Sequence, residues 1–248
     1  MERSVCMSHY IDLNSDLGES FGNYTLGMDS EVLNHVTSAN VACGWHAGDP
    51  LIMEATVRMC KEKGVAVGAH PGYPDLMGFG RRAMAVNPSE AKAYMIYQLG
   101  ALQAFCDSYG VTLQHMKLHG AFYNTACVTP ALADAVLDGL QAVNPNIAAM
   151  VLSGSYIAKE AQRRGIPVIQ EVFADRGYTD EGTLVPRTEP GAFIKDPQEA
   201  LERVLMMVKE GKVVTNTGNT IDIVADSICV HGDNPEAIAF TKYIREGL

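Results

Sequence analysis

Four histidines, His46, His70, His119 and His231, each follow a short β-rich run and sit beside or one residue from glycine or proline. Packing a core does not call for that pattern, whereas a rim of general bases, ligands or hydrogen-bond donors does. His46 lies in Ala42-Cys43-Gly44-Trp45-His46-Ala47-Gly48-Asp49-Pro50, where Gly44 and Gly48 permit positive φ and close backbone approach. It could act as base, ligand or substrate donor, while Asp49 is more simply the N-cap of the next helix. His70 opens a proline turn running to Asp75, and Gly80-Arg81-Arg82 closes that loop. Arg81, following Gly-Phe-Gly, is the better cationic clamp for a carboxylate or phosphate.

Lys117-Leu118-His119-Gly120 brings a lysine able to balance developing negative charge, with His119 two residues on and pointing the same way. Tyr123 and Asn124 then fall one turn into a helix. His115, at the start of the same run, is expected at the opposite, stabilising end, and His9 and His35 lack company. Period-two alternation puts Asp12, Asn14 and Asp16 on one side of the first strand, with Glu19 just beyond. Inward carboxylates this dense need pairing, hydrogen bonds or a metal, although Asp12 and Asn14 could merely tie down loops. Glu171, Asp175, Arg176 and Arg187 follow the sixth strand and could join the histidines in one charged network.

Asp16, His46 and His70 suit a divalent metal such as Zn²⁺, Mn²⁺ or Co²⁺, which would serve deacetylation or another amide hydrolysis. A non-catalytic subunit that presents a ligand to its partners is the other reading. No GxxxxGK[ST] or GxGxxG occurs, so any ATP must be gripped with help from another chain. GxSxG is absent too, leaving Cys43 and Cys229 as weak nucleophile candidates.

The elements that must gather these groups alternate along the chain. Strands are expected at 10–14, 38–43, 65–69, 115–118, 148–152, 168–172 and 227–230. Helices are expected at 51–63, 89–109, 131–143, 155–164, 197–210 and 234–247. Asn87-Pro88-Ser89-Glu90 and Asp196-Pro197 read as N-caps, and Gly64, Gly110, Gly165 and Gly211 as C-caps. Residues 212–225 read as a hairpin turning at Gly218-Asn219, and two long loops, 15–30 and 71–87, as site walls or lids. Strands alternating with helices predict a single-domain seven-stranded α/β barrel, whose active site lies at the carboxyl ends of the strands.

With 248 residues and 47% hydrophobic content, the chain can fill that core. A net charge of −10 without a Lys/Arg cluster disfavours nucleic acid. No apolar run spans a bilayer and no signal peptide follows Met1, so a cytoplasmic location is expected. Six cysteines without CxxC spacing read as reduced thiols.

The residues 12–19, 39–49, 68–71, 117–120, 171–176 and 230–233, in this order, resemble the LamB/YcsF family over nearly the whole chain. The resemblance implies a distorted barrel related to glycoside hydrolases and polysaccharide deacetylases. It also implies ATP-dependent cleavage of 5-oxoproline to L-glutamate together with 5-oxoprolinase subunits B and C, and it leaves room for homo-oligomers. Ser15 stands where the family often has Cys or Ala, and Leu118 replaces a usual proline. Under this reading His46, His70 or Asp16 orients water and Lys117 balances oxygen charge. Arg81, Arg176 or Arg187 holds the substrate carboxylate.

Overall fold

The computed structural model describes residues 10–231 and 235–248. Cys6, His9 and the stretch Gly232-Asp233-Asn234 lie outside them. Six strands come first: β1 (Asp12–Leu17), β2 (Ser38–Ala42), β3 (Ala66–His70), β4 (Leu113–Met116), β5 (Ala148–Leu152) and β6 (Val168–Phe173). A hairpin of β7 (Lys212–Val214) and β8 (Thr220–Asp222) precedes the last strand, β9 (Ser227–Cys229). β1 to β6 and β9 form a closed parallel barrel in the order β1-β2-β3-β4-β5-β6-β9, with β9 paired to both β6 and β1. The seven strands, their closure and the antiparallel hairpin are as expected.

Helices cover the outside. The larger ones are α2 (Pro50–Lys63), α3 (Pro88–Tyr109), α5 (Pro130–Val143), α6 (Tyr156–Arg163), α7 (Pro197–Glu210) and α8 (Pro235–Gly247), joined by the short α1 (Asp29–Val32) and α4 (Gly120–Val128). Local chemistry sets their ends. Asp49 and Asp196 accept two backbone N–H bonds each ahead of an N1 proline, and Asn87 with Glu90 closes a capping box. Gly64, Gly110 and Gly211 end α2, α3 and α7 in the left-handed region. Among the described residues no single helix is long and apolar enough to cross a membrane. The five described cysteines are buried and unbridged.

Three differences from the sequence-based expectation matter for the site. β1 runs on to Leu17 rather than stopping at Asn14, because β2 offers pairing partners as far as Val41. Asp16 is therefore a strand residue, and the following loop begins at Gly18, whose N–H bonds the Asp29 carboxylate. His115 is not at the far end of β4 but wholly buried in the barrel interior. It fits because Gly68 on β3 has no side chain: a Cβ there would stand 2.0 Å from His115 Nε2. A third long connection, between β6 and α7, folds on itself through bridges Arg176 to Phe193 and Tyr178 to Leu184.

Candidate active site

The barrel interior carries a polar column instead of the usual apolar layers. At its foot, Asp12 accepts hydrogen bonds from Thr37, Ser38 and Ser227. Asp12 thus stands at the amino ends of the strands, away from the mouth, because it is the first residue of β1 and faces the starts of β2 and β9. Above it Asn14 donates to Ser227 Oγ at 2.7 Å, and its Oδ1 accepts from Asn40 at 2.8 Å and Lys117 at 3.2 Å. Asn40 also donates to Asp16 Oδ1 at 2.9 Å, while its own Oδ1 lies 2.8 Å from His115 Nε2.

Lys117 closes the column. Its buried ammonium lies 3.0 Å from Asp16 Oδ1, 2.7 Å from Glu171 Oε1 and 3.1 Å from Cys229 Sγ. Burial disfavours the charge, yet Asp16, Cys229 and Glu171 outweigh that and hold Lys117 well above the ordinary lysine range. Burial likewise pushes the Asp16 carboxyl upward, but His70 and Lys117 together hold it well below the usual carboxylate range. Glu171 is fully buried and also accepts from Tyr123 Oη at 2.8 Å. It supports Lys117 from beneath and does not reach the cavity.

The mouth above this floor is a cavity of about 110 Å³ lined by Asp16, His70, Lys117, His119, Phe173 and His231, with Arg81, Arg176 and Arg187 around it. Eight of the residues singled out from sequence thus share one cavity. The arginines differ in what holds them. Arg176 is buried and donates from Nε to Ala192 O and from Nη2 to Val185 O, so it braces the loop after β6. Arg81 and Arg187 are exposed at the rim and, among the described residues, make no ion pair. Arg187 lies over Phe193 and Arg81 over Phe79. His231 is anchored at 2.6 Å by Asp175, which stands behind it.

Beside the floor is a second cluster. His70 Nε2 lies 2.9 Å from His119 Nδ1 and 3.3 Å from Asp16 Oδ2. His46 stacks flat on His119 with 3.7 Å between ring centres, and Glu19 Oε1 is 3.3 Å from His46 Nε2 and 3.6 Å from His119 Nδ1. His46 and Glu19 therefore sit behind His119 rather than on the cavity wall. Burial, with His70 adding to it, pushes His119 down to about 3, and burial with His119 and His70 depresses His46. The loop after β3 walls this cluster off through Phe79, whose carbonyl accepts from His119. Asp75 does not join the site: it braces that loop, bonding Arg82 and Gly78 N.

Cys43 and Cys229 are buried, with thiols pushed up, Cys43 to about 12, so neither is a ready thiolate. Asn40, Tyr123 and His115 enter the site without having been singled out for it. The signal for Asn40 was present, since alternation through β2 puts Ser38 and Asn40 on one side as it does Asn14 and Asp16 on β1.

The LamB/YcsF family profile matches residues 11–248. The chain belongs to the LamB/YcsF family. Among LamB/YcsF relatives, a protein of Fusobacterium nucleatum subsp. nucleatum, named as the A subunit of 5-oxoprolinase, is 62% identical over 242 residues, covering 98% of this chain and 94% of its own length. One of Pyrococcus horikoshii with the same name is 56% identical over 238 residues, covering 96% and 93%. The crystal structure of a lactam utilization protein from Thermus thermophilus superposes with a TM-score of 0.91 at 44% identity, over 97% of this chain and 96% of that one. The LamB/YcsF barrel is thus shared along essentially its whole length.

Proposed function

We propose that this chain is the A subunit of a 5-oxoprolinase, hydrolysing the lactam bond of 5-oxoproline to give L-glutamate. The observation that carries the reading is the floor itself: an ionised Asp16 and a charged Lys117 held together at 3.0 Å under a rim of arginines. That is the charge pattern that opening the lactam of a small acid needs, and close relatives bear the corresponding name.

An unstrained lactam resists water. Phosphoryl transfer from ATP to its carbonyl oxygen, contributed by partner subunits B and C, would leave an imidate carbon open to attack. Water then adds there, the ring C–N bond breaks to free the amine, and phosphate departs as a second water completes the new carboxylate. In this chain Asp16, with His70 at 3.3 Å, takes the proton of the attacking water. Lys117 offsets the charge on the former carbonyl oxygen, and Arg81 and Arg187 hold the substrate carboxylate. A cytoplasmic location, where ATP is at hand, belongs to the same reading.

The purified chain, alone and with its B and C partners, can be assayed for glutamate formed from 5-oxoproline and ATP. Turnover is expected only in the complete mixture. Turnover by the B and C partners without this chain would remove the assignment.

A further inference from the structure

His70 Nδ1 lies 2.8 Å from the carbonyl oxygen of Lys117, and His119 Nε2 lies 2.8 Å from that of Phe79. A carbonyl only accepts, so both of these nitrogens carry hydrogen. In neutral rings the remaining nitrogens, His70 Nε2 and His119 Nδ1, are then bare lone pairs, and they face each other at 2.9 Å. Two lone pairs at that distance repel unless an electrophile lies between them. A proton there has those two partners and Asp16 Oδ2, 3.3 Å from His70 Nε2, as a third. Here Glu19 and His46 converge as well, and one ligand atom from each of the four residues lies within 4.8 Å of the others.

We infer that Glu19, His46, His70 and His119 form a binding site for one divalent transition-metal ion of the zinc class. The separations of 2.9, 3.3 and 3.6 Å between neighbouring donors bracket the roughly 3.3 Å edge of a tetrahedron whose metal–nitrogen bonds are about 2.0–2.1 Å. The backbone carbonyls on the far nitrogens of His70 and His119 are the outer partners that orient metal-bound imidazoles. The parallel stack of His46 on His119 means that one ring must turn to aim at a shared ion. His46 is the one able to turn, since its Nδ1 is buried without a hydrogen-bond partner. The donor set differs from the Asp16, His46, His70 trio expected from sequence: Asp16 places Oδ2 3.3 Å from His70 Nε2 but is not one of the four clustered donors, which include Glu19 and His119 instead.

The test uses the full chain, stripped with chelator and titrated with Zn²⁺ by calorimetry and with Co²⁺ by visible absorption. One ion per chain is expected, with ligand-field bands for Co²⁺ and a melting temperature raised by Zn²⁺. Glu19→Gln and His119→Gln should each weaken uptake tenfold or more. Glu19 is partly exposed, so its amide variant keeps the fold, as circular dichroism will show. No stoichiometric uptake by the native chain, or undiminished uptake by both variants, would overturn the site and leave a shared proton between His70 and His119. Neither readout involves lactam or ATP, so failure here leaves the ring-opening assignment untouched.

Discussion

Lys117 and His115 show how differently two buried bases behave one layer apart. Lys117 keeps its charge because Asp16 and Glu171 flank it, so Lys117→Met strands two carboxylates in the interior. Removing one partner of a buried ion pair costs about 3–5 kcal/mol, and losing a charge aimed at a developing oxyanion costs about 10²–10³ in rate. Both losses are expected, the first in urea unfolding and the second in turnover with the partner subunits. Unchanged turnover would take Lys117 out of the chemistry. His115 is pushed the other way: burial, opposed by Asp12 and reinforced by Lys117, lowers it from 6.5 to about 4. As pH falls the unfolded chain takes up this proton first, so stability drops from about pH 6.5 and the whole contribution is gone below about 4. For a shift of this size the loss is roughly 3 kcal/mol. Urea midpoints at pH 7, 5.5 and 4.5 should fall more steeply for the native chain than for His115→Gln; parallel slopes would refute the account.

At the level of elements, alternation and caps make most of the barrel legible in the sequence. Helix ends at Asp49, Asn87 and Asp196 carry their own hydrogen-bond chemistry, and β5, apolar throughout, reads directly as a strand buried on both faces. What local patterns miss depends on pairing between distant segments. Alternation aligns Asp12, Asn14 and Asp16, but that strand pairing itself continues to Leu17 comes from Asp16 meeting Asn40 and Leu17 meeting Val41 across the ladder. Likewise His115 looks like a strand-start residue because the space it occupies belongs to β3, at Gly68. Gly68→Ala puts a methyl 2.0 Å from the His115 ring, which has no room to retreat. Overpacking of this kind costs about 1–3 kcal/mol, so unfolding should shift to lower urea by that much, and turnover should fall as Asn40 and Asp16 are displaced through His115. In the Gly68→Ala, His115→Ala pair most of the steric cost should vanish. An additive double variant would mean that the two side chains do not meet.

Over the whole molecule the charge runs against the mouth. The chain carries −10, yet Arg81 and Arg187 stand exposed at the cavity rim above a buried lysine, so an anion is drawn to this one opening. Sequence names both arginines but shows only for Arg81, by its glycine turn, how it is placed; Arg187 reaches the cavity through a 23-residue connection, 174–196, whose folding depends on bridges made within it. If the two arginines hold the carboxylate of 5-oxoproline, each contact is a charge-assisted bond present alike in ground and transition states. Such a bond contributes about 1.5–3 kcal/mol. Arg81→Gln and Arg187→Gln should therefore each raise KM about 10–100-fold with kcat little changed, the signature of uniform binding. Each guanidinium also feels the other's charge, so the double variant should fall short of the product of the two. The control is 2-pyrrolidinone, the same ring without a carboxylate, tested as a competing ligand: its inhibition constant should be indifferent to both substitutions. Equal weakening of the two lactams would show that the arginines shape the cavity rather than read the carboxylate, and the substrate's acid group would then have to be held by the partner subunits.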